Sequence, residues 1–147
     1  IDIDEGALNN FHLEAKRCGV DVSILLNDIV APIEAQGMTL NPLPSLQTRV
    51  RSDCVLCLAL IHHLFFGTYK MSLDAIFEML SKYAKKWLIL EYVPPSDKHL
   101  MESYKNEIRN EPYSRSHLLD SASKEFTFVT TAKSYPEGRE LFLFRKK

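Results

Sequence analysis

The chain has 147 residues, 46% hydrophobic and 25% charged, a size and balance suited to one globular domain with its own core. Its 18 basic and 19 acidic residues leave a formal net charge of −1, so it lacks the basic excess of a nucleic-acid or anionic-membrane binder. No apolar run reaches the roughly 18 to 20 residues needed to span a bilayer, and an odd count of 3 cysteines suits a reducing cytoplasm better than a disulfide framework.

Ile1-Asp2-Ile3-Asp4 reads as a strand already under way, so the sequence is expected to be incomplete at its N-terminus. Asp4 caps a helix from about Glu5 to Lys16, with Ala7, Leu8, Phe11 and Ala15 on one face. Gly19 after Cys18 stops it. Val20 to Leu26 is a strand ending at Asn27-Asp28. From Ala31 to Arg51 the chain carries Pro32, Gly37, Pro42 and Pro44 and reads as a long functional loop, with a short helix around Ile33 to Gln36.

Cys54 to Ile61 is a continuous apolar run, as expected of a parallel strand buried on both faces. Ser72 caps a helix to about Lys86, with Leu73, Ile76, Phe77, Leu80 and Ala84 as its stripe. Trp87 to Val93 is a second buried strand, stopped by Pro94-Pro95. Ser96 or Asp97 caps a helix to about Asn110, with Leu100, Met101, Tyr104 and Ile108 inward, and a shorter helix spans about Ser114 to Ser123. Phe126 to Tyr135 and Arg139 to Arg145, joined by Pro136-Glu137-Gly138, form an antiparallel hairpin. Alternating strands and helices make the fold class α/β: a three-layer α/β/α sandwich whose mostly parallel sheet ends in that hairpin.

Ligands of such sheets bind beyond the carboxyl ends of the strands. Those ends carry Asp2 and Asp4, Asn27-Asp28, Leu60 to His63, and Glu91 to Pro95. The four segments together resemble the later strands of class I S-adenosylmethionine-dependent methyltransferases, which are Rossmann-like. The resemblance covers 1–147 as a single methyltransferase-like domain. It implies S-adenosyl-L-methionine as cofactor and an unidentified methyl acceptor as substrate.

Residue by residue, it implies that Asp2, with Ile3 beside it, holds the two ribose hydroxyls. Asp28 would accept from the adenine amino group, with Asn27 making a neighbouring contact. Asp53-Cys54-Val55-Leu56-Cys57-Leu58-Ala59-Leu60-Ile61-His62-His63-Leu64 resembles the strand that ends beside the sulfonium. There Leu60 and Ile61 would line the cofactor. Either His62 or His63, pointing to opposite sides of a strand end, would take a proton from the substrate nucleophile. Glu91, a charge inside an apolar strand, needs either substrate or a salt-bridge partner.

The family's first strand and glycine-rich loop have no match here; a segment upstream of Ile1 or a second chain is expected to complete the sheet, or the strands close up differently. Their absence favours the alternative of a noncatalytic methyltransferase-like binding module, and the retained Asp2, Asp28 and His62-His63 disfavour it. Cys54 and Cys57 read as small core residues, and no paired ligand spacing points to a metal.

Overall fold

The computed structural model describes residues 1–32, 44–110 and 112–147. They form two compact units, Ile1–Arg49 and Val50–Lys147. The short helix expected around Ile33 to Gln36 lies outside the described residues.

In the first unit, helix α1 (Glu5–Arg17) starts at Asp4, whose side chain accepts from Ala7 N. It ends in a Schellman turn. Gly19 N–H donates to Lys16 O and Val20 N–H to Ala15 O, with Gly19 at φ 67°, where a Cβ is disfavoured. Leu8 and Ala15 are buried as their spacing implies, but Phe11 remains exposed and so does Ala7. A unit this small has too little apolar surface to cover the whole stripe. The strand expected over Val20 to Leu26 is reduced to one parallel bridge, Asp2 to Leu26, because only the short stretch around Asp2 supplies backbone partners. A short helix, α2 (Leu46–Arg49), buries Leu46.

The second unit carries β1 (Ser52–Cys57), α3 (Ile61–Phe66), α4 (Leu73–Tyr83), β2 (Ala84–Tyr92), α5 (Lys98–Asn110), α6 (Arg115–Ala122), β3 (Phe126–Lys133) and β4 (Glu140–Lys146). Its sheet has the order β1-β2-β4-β3. The β1–β2 pair is parallel, whereas β4 runs antiparallel to both β2 and β3. The closing hairpin therefore forms as expected. It also makes this sheet mixed, since a strand returning through a short turn must run antiparallel to the one before it.

Strand β2 is interior, with Leu88 and Leu90 fully buried. Expected burial of both faces of β1 does not hold. The strand stops at Cys57 and, among the described residues, lies at the sheet edge with β2 as its one strand neighbour; Leu56 is 63% exposed and Leu58 54% exposed. Cys54 is likewise exposed, and only Cys57 joins the core.

Helix α4 forms where the apolar stripe predicts it. Ser72 caps it by accepting from Ala75 N, and Leu73, Ile76, Phe77 and Leu80 all face inward. It packs on β2 and α6. Phe77 inserts edge-on between Phe126 of β3 and Phe144 of β4, with centroids 6.3 Å and 6.1 Å away. Leu88 pairs with Phe144 and Leu90 with Phe142 across β2 and β4, so one face of the sheet is a continuous apolar layer beneath the helices. Asp97 caps α5 through His99 N and Leu100 N, and Ser114 caps α6 through His117 N. Within α5, Leu100 is buried but Met101 is exposed.

Candidate functional site

The residues expected to hold the cofactor's nucleoside fall in the first unit. Asp2 N–H donates to Leu25 O at 3.2 Å, and Asn27 N–H donates to Asp2 O at 3.0 Å. This parallel bridge sets Asp2 beside Asn27-Asp28. Oδ1 of Asp2 accepts from Asp4 N at 2.9 Å, which orients the carboxylate against the turn into α1. Asp28 Oδ1 accepts from Val30 N at 2.8 Å, an Asx turn. Oδ1 of Asn27 is buried and has no hydrogen-bond partner among the described residues. A buried amide oxygen of this kind is an open acceptor for a ligand donor. Ile3 is 68% exposed, so its side chain is solvent-facing in this unit.

Leu60, His62, His63 and Glu91 belong to the second unit. After β1 the chain turns through Ala59 at φ 49°, a conformation rarely held by a residue with a side chain. That turn starts α3 at once, with half-buried Leu60 as its N-cap. His62 and His63 are therefore consecutive residues of a helix, not the alternating residues of a strand end. Their rings do not point to opposite sides; the centroids are 4.1 Å apart. A continuous apolar run fits a short buried helix as well as a strand, and here the left-handed Ala59 decides it.

The two histidines differ sharply. His62 is buried, and its Nδ1 has no partner among the described residues. Burial, then the neighbouring His63 and Arg139, lower its pKa to about 4, against an opposing pull from Asp97. His62 is thus neutral at physiological pH. Because its folded pKa lies below the ordinary 6.5, the unfolded chain takes up this proton first as pH falls. The unit should therefore lose stability between pH 6.5 and about 4, and a His62→Phe variant should show a shallower loss in urea midpoints measured across that window. Parallel slopes would remove His62 as the cause. His63, by contrast, is exposed, and its Nδ1 lies 3.1 Å from Tyr104 Oη.

Glu91 has found protein partners. Ser134 Oγ donates to its Oε1 at 2.5 Å, and a guanidinium nitrogen of Arg139 lies 3.7 Å from its Oε2. Arg139 Nε also donates to Asp97 Oδ2 at 2.8 Å. That hydrogen bond, assisted by the Leu100 and His99 amides, holds the Asp97 carboxyl below the usual carboxylate range. The cluster Glu91–Arg139–Asp97–Ser134 ties the end of β2, the start of α5 and the hairpin turn together. Reasoning from sequence named Glu91's need for a partner but missed Arg139, which lies one residue before the Glu140 that pairs with Tyr92. Tyr104 is expected from the sequence only as an inward residue of its helix, and Tyr113 carries no sequence expectation. Tyr113 is buried with its hydroxyl unpartnered among the described residues, and it packs on Phe65, Phe66 and Tyr92.

A cavity of about 500 Å³ opens among Phe65, Phe66, Met71, Asn106, Glu107 and His117. Its lining mixes apolar side chains with the polar Asn106, Glu107 and His117. Cys57 is not a nucleophile candidate, because burial pushes its thiol up to about 12. Among the described residues no group of three His, Cys, Asp or Glu side chains could hold a metal ion, and no helix is long and apolar enough to cross a membrane.

No protein-family model matches this chain. No curated protein matches it by sequence. Solved structures do match its fold. Magnesium protoporphyrin IX methyltransferase from Synechocystis PCC 6803, crystallised with SAH, superposes with a TM-score of 0.61 at 13% identity, over 99% of this chain and 62% of that one. The PH0226 protein from Pyrococcus horikoshii OT3 gives a TM-score of 0.63 at 15% identity, over 99% and 69%. The N-methyltransferase NodS from Bradyrhizobium japonicum WM9 gives 0.57 at 13% identity, over 99% and 70%. The chain thus spans less than two-thirds of the length of the Synechocystis enzyme. These likenesses show the fold: the Rossmann-like α/β fold of class I methyltransferases.

Proposed function

We propose that this chain binds S-adenosyl-L-methionine and serves methyl transfer to an acceptor whose identity is open. The observation that carries this reading is the parallel bridge at Asp2. It sets beside each other the two segment ends, Asp2 and Asn27-Asp28, that the resemblance assigns to the ribose and the adenine. A carboxylate accepts from two vicinal hydroxyls, and the unpartnered Asn27 Oδ1 suits a donor such as an exocyclic amine. The acceptor groups present therefore fit the nucleoside's donors.

When bound, the cofactor supplies a methyl group on a positively charged sulfur, already a good leaving group. The protein's share of such chemistry is to position and desolvate the reactants. Leu60 would contribute apolar wall. His62 is neutral, and a base this weak takes a proton only from an acidic nucleophile. Glu91 would act on substrate through the Arg139 cluster it belongs to, and the cavity beside α5 offers room for an acceptor.

The test is calorimetric titration of the chain with S-adenosylhomocysteine, alongside Asp2→Asn. Asparagine keeps an acceptor for Asp4 N–H but loses the charge. Loss of one charge-assisted hydrogen bond should weaken binding about 10- to 100-fold. Equal affinity in both proteins would remove Asp2 from the ribose role. Absence of binding in both would overturn cofactor binding by this chain on its own.

A further inference from the structure

Helix α5 leaves helical geometry at a single residue, Tyr104, at φ −134° and ψ 32°. The departure falls where its ring stacks on Phe66, with centroids 5.7 Å apart and planes 27° apart. The same ring meets His63 nearly edge-on, at 6.0 Å and 70°. Its hydroxyl lies 3.1 Å from His63 Nδ1. Gly67 completes the arrangement. A Cβ there would sit 2.2 Å from the His63 carbonyl oxygen and 3.5 Å from the Tyr104 hydroxyl, so only glycine lets the end of α3 pass this close. Two packed helices and a glycine thus hold one phenol against one nitrogen of an exposed imidazole.

A neutral imidazole has one N–H and one lone pair, and the hydrogen bond at one nitrogen fixes which is left at the other. A phenol is a better donor than an imidazole N–H, and an imidazole nitrogen is a better acceptor than a phenol oxygen. We propose that Tyr104 is a positioning residue that donates to Nδ1 of His63 and fixes its Nε2–H tautomer, so that His63 offers the site a hydrogen-bond donor and not a base. Its place in catalysis rests on the methyl-transfer reading. In that setting the ligand atom meeting His63 is an acceptor, such as a carbonyl or carboxylate oxygen. The nucleophile sheds its proton elsewhere.

The tautomer is read directly from long-range proton–nitrogen NMR spectra of the nitrogen-15-labelled chain, at a mildly alkaline pH where imidazoles are neutral. His63→Gln assigns the signals. In the unmodified chain His63 should show one protonated Nε2 and one unprotonated Nδ1. In Tyr104→Phe, which keeps the stack on Phe66, both nitrogens should shift toward the averaged values of exchanging tautomers. An Nδ1–H pattern in the unmodified chain would overturn the proposal, as would an unchanged pattern in Tyr104→Phe. No cofactor enters this measurement. A failed titration with S-adenosylhomocysteine would leave the tautomer result standing, and the wrong tautomer would leave the cofactor reading standing.

Discussion

Arg139→Met should cost the second unit about 3 to 5 kcal/mol, because removing one member of a buried ion cluster leaves the others charged and uncompensated. The side chains concerned are well covered: Arg139 is 14% exposed, Asp97 5% and Glu91 10%. Methionine fills much of the same volume, so the loss would report charge and hydrogen bonding more than packing. Urea unfolding at neutral pH measures it, and a loss below 1 kcal/mol would show the cluster to be dispensable. The pH dependence has a defined sign. Asp97's carboxyl is depressed in the folded chain, so its contribution is present above the ordinary carboxylate value of 3.8 and is lost as pH falls through the lower folded value. In Arg139→Met that acid-side loss should shrink, since the hydrogen bond that chiefly depresses Asp97 is gone.

Phe77→Ala should cost a similar amount, about 3 to 5 kcal/mol, for a different reason. Phe77 is fully buried on α4 and fills the space between Phe126 and Phe144. Truncation leaves a cavity under three elements, and the sheet cannot close over it without moving β4. This loss should be nearly independent of pH, which separates it from the Arg139 effect in the same unfolding series. A cost under 1 kcal/mol would mean the layer repacks freely.

The elements that sequence located well are those whose signals are local. Ser72, Asp97 and Ser114 cap their helices because a side-chain oxygen three residues ahead of an amide is a short-range geometry. Gly19 ends α1 for the same kind of reason. The hairpin was legible from its turn residues. What escaped depends on neighbours distant in the chain. The apolar run after Asp53 reads as doubly buried, yet its exposure is set by its place at the sheet edge, which no residue in the run encodes. The His62-His63 pair was visible as a motif. Its helical setting depends on Ala59 adopting a backbone conformation that alanine's identity does not announce. Glu91's need for a partner could be reasoned from the cost of burying charge. Arg139 as that partner required the antiparallel register of β2 and β4.

Strand β4 comes last of the four in chain order but sits between β2 and β3. Leu90 pairs with Phe142, so this register joins residues made far apart in time. During synthesis β1, β2 and the helices between them can emerge and collapse, but β2 and β3 both wait for the same late segment. Until residues 140–146 arrive, the apolar surfaces of Leu88, Leu90 and Phe126 lack their shared cover. The pairing that closes the sheet is a late, long-range event, slow by topology and exposed to aggregation while it is pending.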